Sequence, residues 1–328
     1  MAKARKMQVS LEATPYYHCI SRCVRRSFLC GIDQYSGQSY EHRRQWVEDR
    51  LYKLVSVFAI ELCAFSVMSN HTHIVLRVNR EKALEWEKGQ VIDRWHSLYA
   101  GNWLSQKFRS GVELSAIETK LLDGFVSTWR ERLHDMSWFM RNLNEYIARE
   151  ANKEDKCTGR FWEGRFKSQA LLDDKALVSC MAYVDLNPVR AKMADTPEAS
   201  DYTSIQLSIK SAKQSRTPMQ PKELMPFLDN PRKEIPDGLH FELEDYVKLV
   251  DWTGRIMRDD KRGKIDDHLP PILQRLGIAE KQWEHLTKDF EQQFHQFVGD
   301  ADSVKEVTLA LGYQRAKGLG RCHALLTT

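Results

Sequence analysis

The spacing of hydrophobic and polar positions in the first 80 residues predicts four elements. β-favouring residues fill 16–24, which predicts a strand. Over 41–60, apolar residues recur at helical spacing with charges on the other face, which predicts an amphipathic helix. Two more strands are predicted over 61–68 and 71–78, because the short polar segment 69–70 between them is typical of a hairpin. The predicted order is therefore strand, helix, strand, strand.

A second helix–strand–helix series follows a long helical stretch. Residues 81–130 are helical in pattern, carry no chemical motif and are interpreted as an insertion, and an apolar stripe predicts a long amphipathic helix over 133–151. Segment 158–167 predicts an edge strand or tight loop presenting arginines, and two capping aspartates begin a helix over 173–188. This order predicts an α+β fold of the ferredoxin-like, split βαβ type, an antiparallel sheet with helices on one face.

The last third of the chain has a different character. Repeated prolines and a serine- and lysine-rich stretch make residues 205–238 a predicted linker. Helical patterns resume in residues 239–328, which are predicted to form a second, helical domain with a DNA-binding or accessory role. Residues 1–204 are predicted to form the first domain, and two domains suit a chain of 328 residues.

Composition narrows the class of protein. Hydrophobic residues make up 42% and charged residues 29% of the chain, which indicates a globular protein and excludes a disordered or fibrous one. No apolar run approaches the roughly 20 residues that cross a bilayer, and the first residues include no apolar stretch typical of a secretion signal. We therefore expect a cytoplasmic protein with no membrane partner.

The net charge of +4 is distributed unevenly. Residues 1–204 hold 30 Lys and Arg against 26 Asp and Glu, whereas residues 205–328 hold 19 of each. Three arginines, Arg22, Arg25 and Arg26, lie among aromatic residues near the N-terminus. Basic and aromatic groups together suit a nucleic-acid backbone with unstacked bases, and a solvated basic edge is the alternative. The neutral 205–328 portion is expected to be unnecessary for the chemistry.

His71 and His73 are the first candidate chemical feature. Side chains alternate along a strand, so both imidazoles lie on the same face of the predicted sheet. Two adjacent imidazoles can hold one divalent cation. The alternative is two polar surface histidines on a strand.

Tyr183 and Asn187 form the second feature. Their i, i+4 spacing places them on one face of the predicted helix, one turn apart. The Asn187 carbonyl oxygen could then bind the same cation while the Tyr183 phenol lies beside it. Taken alone, these residues favour a core tyrosine and a helix-capping asparagine. Together, the four residues would hold a metal that polarises a substrate phosphate and would supply a phenolic nucleophile, which are the parts of a complete mechanism.

Three ordered segments of the chain resemble the motifs of single-tyrosine HUH transposases. They are 69–76 (SNHTHIVL), 159–167 (GRFWEGRFK) and 183–191 (YVDLNPVRA). The similarity is greatest to the REP-associated tyrosine transposase branch, whose members act on hairpins of repetitive extragenic palindromes. It covers about residues 15–205 and leaves 81–130 and 239–328 unexplained.

The resemblance assigns roles to individual residues. It implies that His71, His73 and Asn187 bind Mg²⁺ or Mn²⁺ and that Tyr183 is the nucleophile. It also implies cleavage and rejoining of single-stranded or hairpin DNA, of the REP palindrome type, through a covalent phosphotyrosine, with no nucleotide cofactor. Thr72 departs from the family pattern, in which a bulky hydrophobic residue separates the histidines. Its side chain is expected on the opposite strand face, where it affects packing more than ligation.

The cations near these motifs are predicted to contact DNA phosphates, and two aromatic residues are predicted to stack on an unpaired base. The predicted DNA-binding residues are Arg22, Arg25, Arg26, Arg160, Phe161, Trp162, Arg165, Lys167 and Arg190.

Two other functions stay open at this point. One is a hairpin-binding protein that keeps the fold but does not cleave DNA, acting in regulation or genome organisation. The other is a hydrolytic metallonuclease in which Tyr183 is structural. A monomer is expected, with a dimer as the alternative.

Overall fold

The computed structural model describes most of the chain. It covers residues 8–24, 29–33, 36–214, 220–228, 238–257 and 269–327. Two of the predicted DNA contacts, Arg25 and Arg26, lie outside the described residues.

A five-stranded sheet forms the centre of the fold, in the order β2-β3-β1-β4-β5. The strands are β1 (Tyr16–Arg22), β2 (Ile60–Val67), β3 (His71–Val78), β4 (Lys167–Leu171) and β5 (Phe297–Val298). The first four pair antiparallel, and β5 joins β4 in parallel. Strand β3 lies between β1 and β2, and β1 lies between β3 and β4. This arrangement confirms the predicted α+β, ferredoxin-like split βαβ plan.

Segment 158–167, predicted as an edge strand or a tight loop, forms the loop, and the strand follows it. Strand β4 begins only at Lys167, and the preceding residues form a loop in which Trp162 makes an isolated bridge to Cys23. Gly159 in this loop has a φ of +134°, which side-chain-bearing residues rarely adopt. The glycines therefore mark the turn before the strand.

The first sheet face is covered by α1 (Arg43–Val57) and α6 (Met136–Glu154). Met136 contacts Cys19 of β1, and Asn144 donates a hydrogen bond to Ser21 at 2.8 Å. The predicted insertion is helical, with α2 (Arg80–Glu85), α3 (Lys88–His96), α4 (Trp103–Arg109) and α5 (Ala116–Leu133). Among the described residues, no helix combines the length and apolar character needed to cross a membrane.

The second sheet face is covered as well, so the expectation of helices on one face is wrong. Helix α7 (Asp174–Asp185) packs there, and α8 (Asn187–Arg190) follows it. As predicted, an aspartate caps α7, because the Asp173 side chain accepts a hydrogen bond from the Ala176 N–H at 2.8 Å. The central strands are buried on both faces, which requires a layer on each side.

The helices that follow α8 are α9 (Ser204–Gln214), α10 (Leu243–Ile256), α11 (Pro271–Leu276), α12 (Glu280–Lys288), α13 (Phe290–Gln293), α14 (Ala301–Ala310) and α15 (Leu319–Leu326), with a 3₁₀ turn at Pro197–Ala199.

The predicted linker is packed on the sheet wherever the structure describes it. The Phe65 N–H donates to Ser204 Oγ at 2.8 Å, and the Met225 N–H donates to the Leu62 carbonyl at 2.8 Å. The linker prediction is therefore wrong for these residues, because their apolar side chains are buried.

Residues 239–328 are likewise not a separate domain in their described part. Their strand β5 extends the central sheet, and α10, α12 and α13 pack on α7. The Tyr246 hydroxyl donates to Asp185 at 2.6 Å, and the Asp300 N–H donates to Asp173 at 2.7 Å. One hydrophobic core includes residues of both predicted domains.

Candidate active site

The register of the sheet collects polar side chains on one face, at the end where β3 begins. The directly opposed pairs are Arg22 with His71, Ile20 with His73, Ile20 with Lys167, and His18 with Gln169. Opposed residues point to the same face of a sheet. Helix α7 packs on this face, so the sheet forms the floor of the site and α7 its roof.

His71 and His73 lie together on this face, as the strand alternation predicts. Their ring centroids are 4.7 Å apart, and His71 Nδ1 lies 2.6 Å from Asn70 Oδ1. Burial lowers the pKa of His71 to about 4, and the Arg22 cation acts in the same direction. Burial also lowers the pKa of His73 well below its usual value. Both rings are therefore neutral near pH 7, with a lone pair each. Thr72 is buried, and its Oγ1 has no hydrogen-bond partner among the described residues.

Tyr183 lies on the last turn of α7 against the histidines. Its ring centroid is 5.5 Å from that of His73, and the two rings are nearly perpendicular. The side chain is only 7% exposed. Burial raises the pKa of Tyr183 to about 12, and the nearby Arg190 cation opposes that rise. A phenol in this position must lose its proton before or during any nucleophilic attack.

Arg190 is built into the site. Its guanidinium carbon lies 4.0 Å from the centre of the Tyr183 ring. The guanidinium donates to Asn187 Oδ1 at 2.7 Å and to the Thr287 carbonyl at 2.9 Å. Sequence reasoning assigned Arg190 to a DNA phosphate, whereas the structure turns it toward protein acceptors. Asn187 is buried one turn beyond Tyr183, as the spacing predicts, and its Nδ2 has no partner among the described residues.

His18 and Gln169, which no sequence motif assigned to the site, form a hydrogen-bonded chain with His73. His18 Nε2 lies 2.9 Å from His73 Nδ1, and His18 Nδ1 lies 2.9 Å from Gln169 Oε1. His18, Ile20 and Arg22 occupy every second position of β1, and this spacing predicts that their side chains share one sheet face. Nothing in the sequence singles out Gln169, because only strand pairing brings it opposite His18.

The donor set fits a divalent cation. His73 Nδ1 faces His18 and His71 Nδ1 faces Asn70, so each ring retains its Nε2. His73 Nε2 is buried and has no partner among the described atoms. No three His, Cys, Asp or Glu side chains in the described part of the chain are grouped to hold a metal. Among the described residues, a third protein ligand would therefore be of another type, and the Asn187 amide oxygen, which accepts a hydrogen bond from Arg190, is the candidate.

The predicted DNA-binding cations lie around this site to different extents. Arg22 and Lys167 are on the same sheet end as His71, and both approach Glu291, at 3.9 Å and 3.3 Å. Arg165 and Lys167 line a cavity of about 400 Å³ that also includes Glu291. Arg160 is exposed on the loop before β4. This end of the sheet therefore carries several cations, with the Glu291 carboxylate close to Arg22 and Lys167.

Phe161 and Trp162 are largely buried, which argues against their predicted stacking on an unpaired base. They are 3% and 9% exposed, with ring centroids 5.0 Å apart. The Trp162 indole N–H donates to the Asn144 carbonyl at 2.8 Å and ties the loop to α6. These aromatic residues stabilise the loop that carries Arg160 and Arg165.

The C-terminal region contributes side chains to the candidate site, although the uneven charge led us to expect that residues 205–328 are unnecessary for the chemistry. The Phe290 ring lies 5.9 Å from Tyr183 and 6.2 Å from His18. Glu291, next to it, approaches Arg22 as described above. No motif marks these residues, and their place in the site depends on the packing of α12 and α13 on α7.

Comparison with known proteins gives one structural similarity. No protein-family model matches the chain, and no curated protein matches it. A solved structure of the REP-associated tyrosine transposase bound to a REP hairpin is similar to it at a TM-score of 0.38 and 12% sequence identity. The match covers 64% of this chain and 86% of that chain. A likeness at this level does not by itself assign an activity.

Proposed function

We propose that the protein is a transposase-like enzyme that cleaves and rejoins single-stranded or hairpin DNA, with Tyr183 as nucleophile. The observation that supports this most strongly is the contact of the Tyr183 ring with His73, at 5.5 Å between centroids, beside His71. A tyrosine and two neutral histidines from distant parts of the sequence thus share one partly enclosed site. REP-type palindromes are the proposed targets, because the three sequence motifs resemble those of the REP-associated branch.

The reaction is a phosphoryl transfer. The Tyr183 oxygen would attack phosphorus, form a new O–P bond, and displace the 3′ oxygen of the adjoining nucleotide as a hydroxyl. A DNA hydroxyl attacking the phosphotyrosine would reverse these steps and rejoin the strands. Mg²⁺ or Mn²⁺ held by His71, His73 and Asn187 would polarise the phosphate and offset its developing charge. Arg190 favours the phenolate form of Tyr183, as its effect on that pKa indicates.

Basic residues at the same end of the sheet are proposed to bind the DNA backbone. Arg22 and Lys167 approach Glu291 beside the histidine strand, Arg165 and Lys167 line a cavity there, and the exposed Arg160 lies on the loop before β4, so these cations suit phosphate contacts. A monomer is proposed as the catalytic unit, with a dimer as the alternative.

The test is capture of a covalent adduct. Labelled hairpins with single-stranded flanks, incubated with protein and Mg²⁺ or Mn²⁺, are expected to yield a denaturant-resistant protein–DNA species attached at Tyr183. Tyr183→Phe should abolish both the adduct and cleavage, since only the hydroxyl is removed. Tyr146→Phe, at a partly exposed tyrosine on α6, is the matched control and should retain activity.

Two outcomes would contradict the proposal. Tight hairpin binding with no adduct under either metal would indicate a DNA-binding protein that does not cleave. Continued cleavage by Tyr183→Phe would indicate a metallonuclease that uses water, with Tyr183 in a structural role.

A further inference from the structure

A chain of hydrogen bonds runs from His73 through His18 and Gln169 to the main chain before β5. We infer that His18 and Gln169 are positioning residues that hold His73 in the Nδ1–H tautomer, so that its Nε2 lone pair is kept for a divalent cation. The inference rests on the proposed function only in naming that ligand. The tautomer itself follows from the hydrogen bonds.

Gln169 determines the direction of the chain. Its amide nitrogen lies 2.8 Å from the Phe294 carbonyl oxygen and 3.1 Å from that of His295. Carbonyl oxygens only accept, so the amide NH₂ must face them and Oε1 must face His18. Because Oε1 also only accepts, His18 Nδ1 carries the hydrogen.

His18 transmits this choice to His73. The His18 ring is fully buried, stacked on His73 at 5.1 Å between centroids, and no carboxylate among the described residues hydrogen-bonds to it. An imidazolium there would be a buried charge that no carboxylate hydrogen-bonds, and the more distant Glu291 offsets little of the strongly unfavourable cost of burial. A neutral ring with its hydrogen on Nδ1 has a lone pair on Nε2. That lone pair lies 2.9 Å from His73 Nδ1, which must therefore donate.

His73 then presents a bare nitrogen to the site. Its Nε2 is completely buried and has no partner in the described structure, although buried acceptors are almost always satisfied. The same ring contacts His71 and Tyr183, so this lone pair belongs to the proposed catalytic site. A histidine that binds a metal through one nitrogen commonly donates its other N–H to a fixed acceptor, and here that acceptor is a second histidine.

The arrangement also gives a role to the C-terminal region. The carbonyls that orient Gln169 belong to the segment between α13 and β5, and β5 pairs with the strand that carries Gln169. The last third of the chain thus orients His73 at a distance, through main-chain atoms.

The first measurement is the tautomer of His73 in metal-free, DNA-free protein. Protein labelled with ¹⁵N-histidine, with the His73 signals assigned by a His73→Gln variant, should show a protonated Nδ1 and an unprotonated Nε2. His18→Phe keeps a ring but removes the acceptor, and it should shift His73 toward the Nε2–H form. A wild-type His73 protonated at Nε2 would overturn the inference, whether or not any variant folds.

The second measurement is Mn²⁺ affinity by calorimetry without DNA. His18→Phe and Gln169→Leu should weaken it by about 10- to 100-fold, the usual effect of removing a partner of a metal-binding histidine. His18→Gln, whose amide oxygen can accept from His73, should recover most of the loss. His134→Phe removes another buried histidine, at the end of α5, and should leave the affinity unchanged. Affinities within about twofold of wild type for His18→Phe would refute the role.

These outcomes are distinguishable from those of the adduct experiment. A wild-type protein that forms no DNA adduct, but whose His73 tautomer and Mn²⁺ affinity depend on His18, would refute the proposed function and leave this inference standing. An enzyme that forms the DNA adduct, but whose His73 tautomer and Mn²⁺ affinity do not depend on His18, would support the proposed function and refute this inference.

Discussion

Replacing Arg190 by methionine should slow formation of the Tyr183 adduct without weakening DNA binding. The guanidinium carbon lies 4.0 Å from the centre of the Tyr183 ring, and the group is held by Asn187 and Thr287. We therefore expect its main effect to be on the tyrosine and not on a phosphate. Burial already raises the pKa of Tyr183 to about 12, and Arg190 is the cation that opposes this. Removing it should raise that pKa further.

The size of the effect follows from the distance. Two unit charges about 4 Å apart at an effective dielectric constant of about 20 interact by about 4 kcal/mol. The charge on the attacking oxygen is partial in the transition state and lies farther from the guanidinium than the ring centre does. We therefore take about half, about 2 kcal/mol, which corresponds to a rate about 30-fold lower.

The assay separates rate from affinity. Single-turnover adduct formation at saturating hairpin gives the rate, and fluorescence anisotropy gives the Kd. Arg190→Met should lower the rate of adduct formation about 30-fold with the Kd unchanged. The rate of Arg190→Lys should lie between those of the wild type and Arg190→Met, because lysine retains the charge. Arg160→Met, at an exposed arginine, is the matched control. This substitution should raise the Kd, reduce the salt dependence of binding by about one ion, and leave the rate at saturating hairpin unchanged.

The opposite pattern would refute this reasoning. If Arg190→Met raises the Kd while the saturated rate stays within about threefold of wild type, an effect of less than about 1 kcal/mol, Arg190 binds a DNA phosphate, as the sequence alone suggested. Thermal unfolding of each variant shows whether a change in rate reflects loss of the fold.

Three further predictions concern the contacts of the C-terminal region. Glu291→Gln removes the carboxylate that faces Arg22 and Lys167, so hairpin affinity should rise by about fivefold at low salt and by less at high salt. The control Glu291→Asp keeps the charge and should bind the hairpin about as tightly as the wild type. An unchanged or weaker affinity for Glu291→Gln would show that the carboxylate does not compete with DNA. Asp185→Ala leaves three donors of α9 and α10 without their acceptor and should lower the free energy of unfolding by about 3–5 kcal/mol, with Asp185→Asn costing less. Guanidinium unfolding of the wild type should show a single transition, and two transitions would restore the independent C-terminal domain that the sequence predicts.

Local patterns were sufficient for the elements that carry the proposed chemistry. The hairpin of β2 and β3 begins and ends within one residue of its predicted bounds, because alternation and a polar turn are properties of adjacent residues. The shared face of His71 and His73 and the one-turn spacing of Tyr183 and Asn187 follow from strand and helix geometry alone. The assigned roles in metal binding and nucleophilic attack are still predictions.

Tertiary structure decided what surrounds those residues. Prolines in 205–238 predict a linker, yet the described apolar side chains Leu224 and Met225 are buried, and the Met225 N–H donates to Leu62 of β2. Arg190 and Trp162 looked available to DNA until the structure showed the acceptors that hold them. Gln169 and Glu291 entered the site only through strand pairing and helix packing. Strand and helix periodicity is set by neighbours along the chain, so the sequence alone determined the elements and the directions of their side chains. Whether a polar side chain is paired, buried or open to a ligand depends on residues far away in sequence, so only the folded chain could decide it.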